Sequence, residues 1–283
     1  PLAGASPPVK LGPSHPDHPG EDNMPIQNRR GFTLVELLVV VAVLAILIAV
    51  LLPGLAGARR AAQQTTSLID MRTIGTTTYA YANDHHNKLF PTARMPGMGP
   101  NRAPFSLSWV YLTGRIIDPT LAPLQDFQSP AEIARFIDRL EVFRSPADPS
   151  NNWNDPVMPR LGSYGINAYL TPNHPPHNGV RVTSLRQPSS LVLAVELAPE
   201  IAMDHVMPMY WGDPPAVDNA MISSRQWDRD TQTPKVMAHD RHPGGTSNMV
   251  FADGHAEALT FSETWIQTPG QRPTLNRYDP KRP

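Results

Sequence analysis

Ten histidines, 25 acidic residues and no cysteine make up the chemical inventory of this 283-residue chain. Imidazoles and carboxylates are densest near the C-terminus, where His239, His242 and His255 accompany Asp240 and Asp253. Such groups can hold zinc or a non-haem metal, but none of these histidines has the His-x-x-x-His spacing that puts two rings on one helix face. Asp253 with Gly254 already reads as a turn. Calcium would call for a run of Asp and Asn at ligand spacing, and the sequence has none. The lack of Cys excludes disulfides, thiol catalysis and a thiolate metal site. No Gly-x-Ser-x-Gly elbow, Walker loop or dinucleotide fingerprint occurs, and Ser223, Ser224 and Asp213 have no base at a readable spacing. Glu196 follows an apolar run and reads as the end of a strand rather than a general base. The inventory assigns no catalytic group, no metal and no cofactor.

One carboxylate stands apart. Glu36 opens a segment in which every side chain of residues 37–52 is Leu, Val, Ala or Ile, apolar on all sides of a helix rather than along one stripe. Counted from Phe32, about 21 residues at ~1.5 Å each reach ~31 Å, the thickness of a bilayer's hydrocarbon core. A carboxylate in such a helix costs on the order of 2.5–3.5 kcal/mol at the bilayer centre and less near an end. A partner for its charge is the simplest reason to keep it.

The run Gly31-Phe32-Thr33-Leu34-Val35-Glu36-Leu37-Leu38, preceded by Arg29-Arg30 and followed by apolar residues and Pro53, resembles the processing and methylation signature of type IV prepilins and type II secretion pseudopilins. The resemblance implies cleavage between Gly31 and Phe32 by a prepilin peptidase and N-methylation of Phe32 by the same enzyme. It also implies pairing of Glu36 with the new amine of a neighbouring subunit, a helix kink at Pro53, and assembly with other pseudopilins or copies of itself on an inner-membrane platform. Arg29-Arg30 and Arg59-Arg60 flank the span evenly, so charge does not set its orientation. The resemblance implies a cytoplasmic N-terminus and a periplasmic head. The residues leave two rival readings open. Ala56-Gly57-Ala58 has the form of an ordinary signal peptidase site, although the apolar run exceeds an h-region and Glu36 has no place in one. A membrane-anchored binding protein or metal-dependent enzyme using the same export signal is the other.

Residues 1–31 read as leader, with the basic prepilin-like part starting at Met24 and nothing buriable before it. Residues 32–52 form the span, 53–85 an amphipathic continuation with Leu68, Met71, Ile74, Gly75, Thr78 and Ala82 on one stripe, and 86–283 the head. The formal net charge of -1 speaks against nucleic acid as a partner. Proline, at 33 residues, predicts a loop-rich head with short elements.

Within the head, a short element at residues 108–112 is closed by Thr113-Gly114, a surface helix covers residues 130–143, and residues 191–195 form a buried strand ended by Glu196. Residues 199–234 read as loops over the sheet. Asp253-Gly254 predicts a type I′ hairpin in which Met249 and Phe251 share a face with Ala256 and Ala258, one face being buried and the other mixed. Ser145-Pro146-Ala147-Asp148, Ser163-Tyr164-Gly165-Ile166-Asn167 and the His242, Asp253, Gly254, His255 pattern resemble planctomycete-type pseudopilin heads, with Ser145 where those heads have Cys. The expected architecture is α+β, a long kinked N-terminal helix packed on a small antiparallel sheet with long loops.

Overall fold

The computed structural model describes residues 32–92, 108–121, 130–155, 159–172, 179–199, 201–217 and 219–281. The leader, Gly31 and the insert at residues 173–177 lie outside them. A single helix, α1 (Leu34–Asp84), carries both the apolar run and the amphipathic stretch. The chain divides after residue 51 into two units, of which the described part of the first is residues 32–51. In the first, the side chains of residues 34–51 are exposed throughout.

In the second unit, α1 buries Ser67, Met71, Ile74, Gly75, Thr77, Thr78 and Ala82. The stripe read from the sequence is the one that packs, widened by Ser67 and Thr77. Asn87, with φ +60°, donates its N–H to Ala82 O at 2.8 Å and closes the helix in the left-handed manner typical of helix C-termini. Helix α2 (Trp109–Ile117) starts at Ser108, whose hydroxyl accepts the Tyr111 N–H at 3.2 Å. It runs through Thr113-Gly114 rather than ending there. Gly114 serves close packing, since a Cβ would lie 2.5 Å from Leu140 Cδ1. Helix α3 (Pro130–Asp138) is shorter than expected, and a tight turn carries Leu140 and Phe143 into the core.

The strands of the main sheet are β1 (Tyr164–Asn167), β2 (Val192–Glu196), β3 (His205–Val206), β6 (Ser247–Phe251) and β7 (Ala256–Leu259), with β4 (Trp227–Asp228) pairing β5 (Thr233–Pro234) in a separate ribbon. The order β3-β1-β2-β6-β7 is antiparallel except for β1 and β3, which are parallel, so the sheet is mixed rather than purely antiparallel. A last ribbon pairs β8 (Trp265–Ile266) with β9 (Leu275–Asn276).

Both faces of the central strands are buried; in the hairpin β6 is buried along its whole length, against the expectation of a mixed second face, while β7 exposes Glu257. One face meets Met71 and Ile74 of α1 with Trp109, Phe143, Ile166 and Val250. The other meets Met209, Trp211, Trp227, Met237 and Trp265 over Val192, Val195, Met249 and Phe251. A β-bulge in β2 between Val192 and Ala194 lets Leu193 and Ala194 join the first cluster in succession while Val192 and Val195 join the second. Residues 199–234 are therefore more than loops: they include α4 (Ala220–Gln226), capped by Asn219, and supply much of the second core.

The hairpin register also differs from the one read in the sequence. Val250 pairs with Ala256 and Met249 with Glu257, so Val250, not Met249, shares a face with Ala256. The loop has three residues, Ala252, Asp253 and Gly254: Gly254 N–H donates to Phe251 O at 2.9 Å, and only Gly254 has positive φ, +90°. This is a type I turn followed by a left-handed glycine rather than type I′, and the extra residue shifts every pairing by one. The turn sits against α1 at Gly75, where a Cβ would come 2.8 Å from Val250 Cγ2 and 3.2 Å from Gly254 Cα. Gly75→Ala should destabilise the protein by about 1–3 kcal/mol, read as a lower urea midpoint with unchanged m-value.

Candidate functional site

Sequence reasoning placed the assembly residues at the start of α1. Phe32 and the large apolar side chains of residues 34–52 are solvent-exposed, Phe32 at 74% and Leu34 at 78%. By length and composition α1 can cross a membrane. Glu36 has a local role that the sequence reading missed. Its Oε2 accepts the Thr33 N–H and the Thr33 hydroxyl, both at 2.9 Å, while Glu36 N–H donates to Thr33 Oγ1 at 3.2 Å. That reciprocal pattern is a capping box, and Thr33-x-x-Glu36 is its sequence signature. It satisfies N–H groups that a helix start would leave unpaired. Pro53 lies inside α1.

The hairpin motif separates into two places. His255 Nδ1 meets Asp253 Oδ1 at 2.5 Å, the Asp253 carboxylate also accepts the His255 N–H, and the imidazole stacks on Phe251 with centroids 4.4 Å apart. Asp253, Gly254 and His255 thus shape the turn itself. His242 is buried elsewhere, its Nε2 2.9 Å from Glu196 Oε2. Among the described residues no three His, Asp or Glu side chains gather as a metal site.

Around Glu196 the fold builds a buried polar cluster that the sequence did not reveal as one. Glu196 accepts the Asn248 N–H at 3.0 Å, the Ser145 hydroxyl at 3.3 Å and the Ser247 hydroxyl at 3.4 Å, besides His242. Arg241 approaches both Glu196, at 3.8 Å, and Asp148, at 3.6 Å. Asp148 and Arg160 pair at 2.6 Å with both side chains fully buried. Burial opposes the charge of Asp148, but Arg241 and Arg160 outweigh it and hold its carboxyl below the ordinary value. Arg160 also donates to Ala198 O and Ile201 O, tying the chain beyond β2 to this centre. The fragments around Ser145, Ser163 and His242 converge here: Ser145 N–H donates to Ser163 Oγ at 2.9 Å. Helix α1 joins through Ser67 Oγ, 2.6 Å from Ser145 Oγ, and through Asp70, which accepts the Tyr164 hydroxyl at 3.0 Å. The one signal available was Glu196 itself, a carboxylate contiguous with an apolar strand.

Comparison with known proteins bears on the start of α1. The prokaryotic N-terminal methylation motif matches residues 26–52. A type IV wide pilus major component, PilA4 of Thermus thermophilus, is 55% identical over 40 residues, which cover 14% of this chain and 30% of that relative. Over this N-terminal segment the chain is type IV prepilin-like. No solved structure matches it. The methylation motif and an apolar N-terminal helix together fit a membrane-anchored protein.

In this prepilin-like chain the amphipathic half of α1 carries a titrating contact to the head. Burial lifts the Asp70 carboxyl to about 6, with Glu196 and Glu141 pushing the same way and the Tyr164 hydrogen bond pulling against them. The folded protein therefore binds this proton more tightly than the unfolded chain, whose Asp has its ordinary value of 3.8. The stability that protonation lends is present below about pH 4 and lost as pH rises through 6. Asp70→Asn should be more stable than the parent above pH 6, on the order of 1 kcal/mol once screening of a partly exposed group is allowed for. The gain should shrink toward pH 4, as melting curves at the two pH values would show.

Proposed function

We propose that this protein is a structural subunit of a type IV pilus-like or type II secretion-like filament, not an enzyme. Prepilin peptidase cuts between Gly31 and Phe32 and methylates the new amine. The span at residues 32–52 then holds the subunit in the inner membrane with its N-terminus cytoplasmic and residues 86–283 as a periplasmic head. In the filament the exposed apolar side chains of this span pack against those of other subunits, Pro53 supplies a bend, and Glu36 neutralises the amine of a neighbour. A head of the planctomycete pseudopilin kind, with its His242 and Asp253-Gly254-His255 pattern, is part of the same reading.

The single observation that carries this reading is the coincidence of the methylation motif at residues 26–52 with a helix whose side chains at residues 34–51 are exposed on every side. The all-apolar surface of residues 37–51 within it needs a bilayer or other copies around it. Mass spectrometry of the native protein should find a mature chain beginning with N-methylated Phe32. A chain beginning just after Ala58 would instead mean ordinary signal peptide removal and would refute the filament reading.

A further inference from the structure

The β4–β5 ribbon, the segment around His239 and Gly245, and residues 261–267 line an open cleft of about 450 Å³ in the head. Its lining includes three aromatic residues, Trp227, Phe261 and Trp265, with the Trp227 and Trp265 rings 6.0 Å apart. Interleaved with them are hydroxyl and amide side chains, and no Asp, Glu, Lys or Arg belongs to the lining.

Three polar atoms of these lining residues are unsatisfied. Trp227 and Trp265 are 3% and 5% exposed, and neither indole N–H has a hydrogen-bond partner. Gln232 donates its amide to Arg229 O at 2.7 Å, which leaves its Oε1 buried and unpartnered. Two donors and one acceptor, buried just behind the wall of a single cleft, are the kind of deficit that folded proteins avoid unless something else meets it. Gln232 also sits in the left-handed region, φ +54°, in the turn that joins β4 to β5.

We propose that this cleft binds a neutral carbohydrate. A sugar presents hydroxyls that both accept from the indoles and donate to Gln232, together with apolar C–H faces for the aromatic wall. A hydrocarbon would leave the three groups unmet, and an anion would find no Lys or Arg in the lining. Neither indole nitrogen is solvent-exposed, so binding includes a small shift of the side chains that form the cleft wall. The assignment is independent of how the N-terminal helix is processed or assembled.

The test uses the full chain in a phosphocholine detergent, which has no sugar headgroup. Cellotetraose and chitotetraose, one a hexose and the other an N-acetylhexosamine oligomer, are titrated while tryptophan fluorescence and heat are recorded. At least one should bind saturably with a Kd of about 1 mM or tighter, and the better of the two identifies the sugar class. Gln232→Gly suits the left-handed backbone, so its melting temperature should be unchanged or raised while the sugar Kd weakens about tenfold. Trp265→Phe keeps a ring, loses the N–H, and should weaken binding likewise. The proposal is overturned if neither sugar saturates by about ten times that concentration. Unchanged affinity in both variants, or a blocked uncharged tripeptide binding in place of the sugars, would overturn it too.

Discussion

Glu36→Ala and Glu36→Gln should both leave cleavage and methylation intact and both abolish incorporation into a filament. The pair of variants separates the helix-cap role of this carboxylate from the counter-ion role proposed for it in the filament. In the capping box, Glu36 Oε2 accepts from the Thr33 N–H and hydroxyl, and a Gln amide oxygen can accept the same two bonds. Losing the box altogether costs about 0.5–2 kcal/mol of helix stability, which a 51-residue helix tolerates. Removing the charge is the larger effect: a neighbour's buried amine would be left without a counter-ion, at about 3–5 kcal/mol per contact. That corresponds to at least a hundredfold loss of incorporation, measured as the sheared, filament-bound fraction with mass spectrometry confirming the mature N-terminus. Normal incorporation of the Gln variant would show that the helix cap alone suffices.

Glu196→Ala should be the most damaging substitution in the head. It removes the acceptor of one backbone N–H, two hydroxyls and His242, and leaves Arg241 with Asp148 as its remaining acidic neighbour. Breaking one partner out of a buried ionic cluster costs about 3–5 kcal/mol, a large share of the ~5–15 kcal/mol that holds a typical domain. Glu196→Gln keeps the shape but turns an amide donor toward a ring of donors, so about 1–3 kcal/mol should be lost. Urea unfolding of the full chain, followed by tryptophan fluorescence, should rank the parent above Gln and Gln above Ala. Equal midpoints would mean that the cluster fixes geometry without adding stability.

The cluster also explains which parts of the head were legible. Ile133, Phe136, Ile137 and the run from Leu191 to Val195 are buried where apolar patterning put them, because burial of an apolar stripe is a local property of spacing. No local pattern marks Arg160 or Asp148 for burial. Their burial depends on Leu197, Ala198 and Ile201 supplying carbonyls and on each supplying the other's counter-charge, pairings that no local period encodes. The hairpin shows the same division at smaller scale. Asp253-Gly254 correctly marked a turn, but whether Ala252 joins the loop or the strand was decided by the approach of Gly75 and by Val250 facing α1. Trp211, Trp227 and Trp265 form a second core from a stretch without periodicity, since aromatic residues carried on short ribbons pack by shape rather than by repeat.

By itself the sequence determined the long N-terminal helix, its apolar and amphipathic halves, and the motif at residues 26–52 that marks this segment as type IV prepilin-like. These follow from composition and from spacing within a few turns. Only the tertiary structure decided that the central strands are buried on both faces, that Glu196, Asp148, Arg160, Arg241 and His242 share one buried centre, and that residues with unsatisfied indoles line a cleft. Those outcomes rest on contacts between residues far apart in the chain, where charge pairing and volume filling select one arrangement that local propensity leaves open.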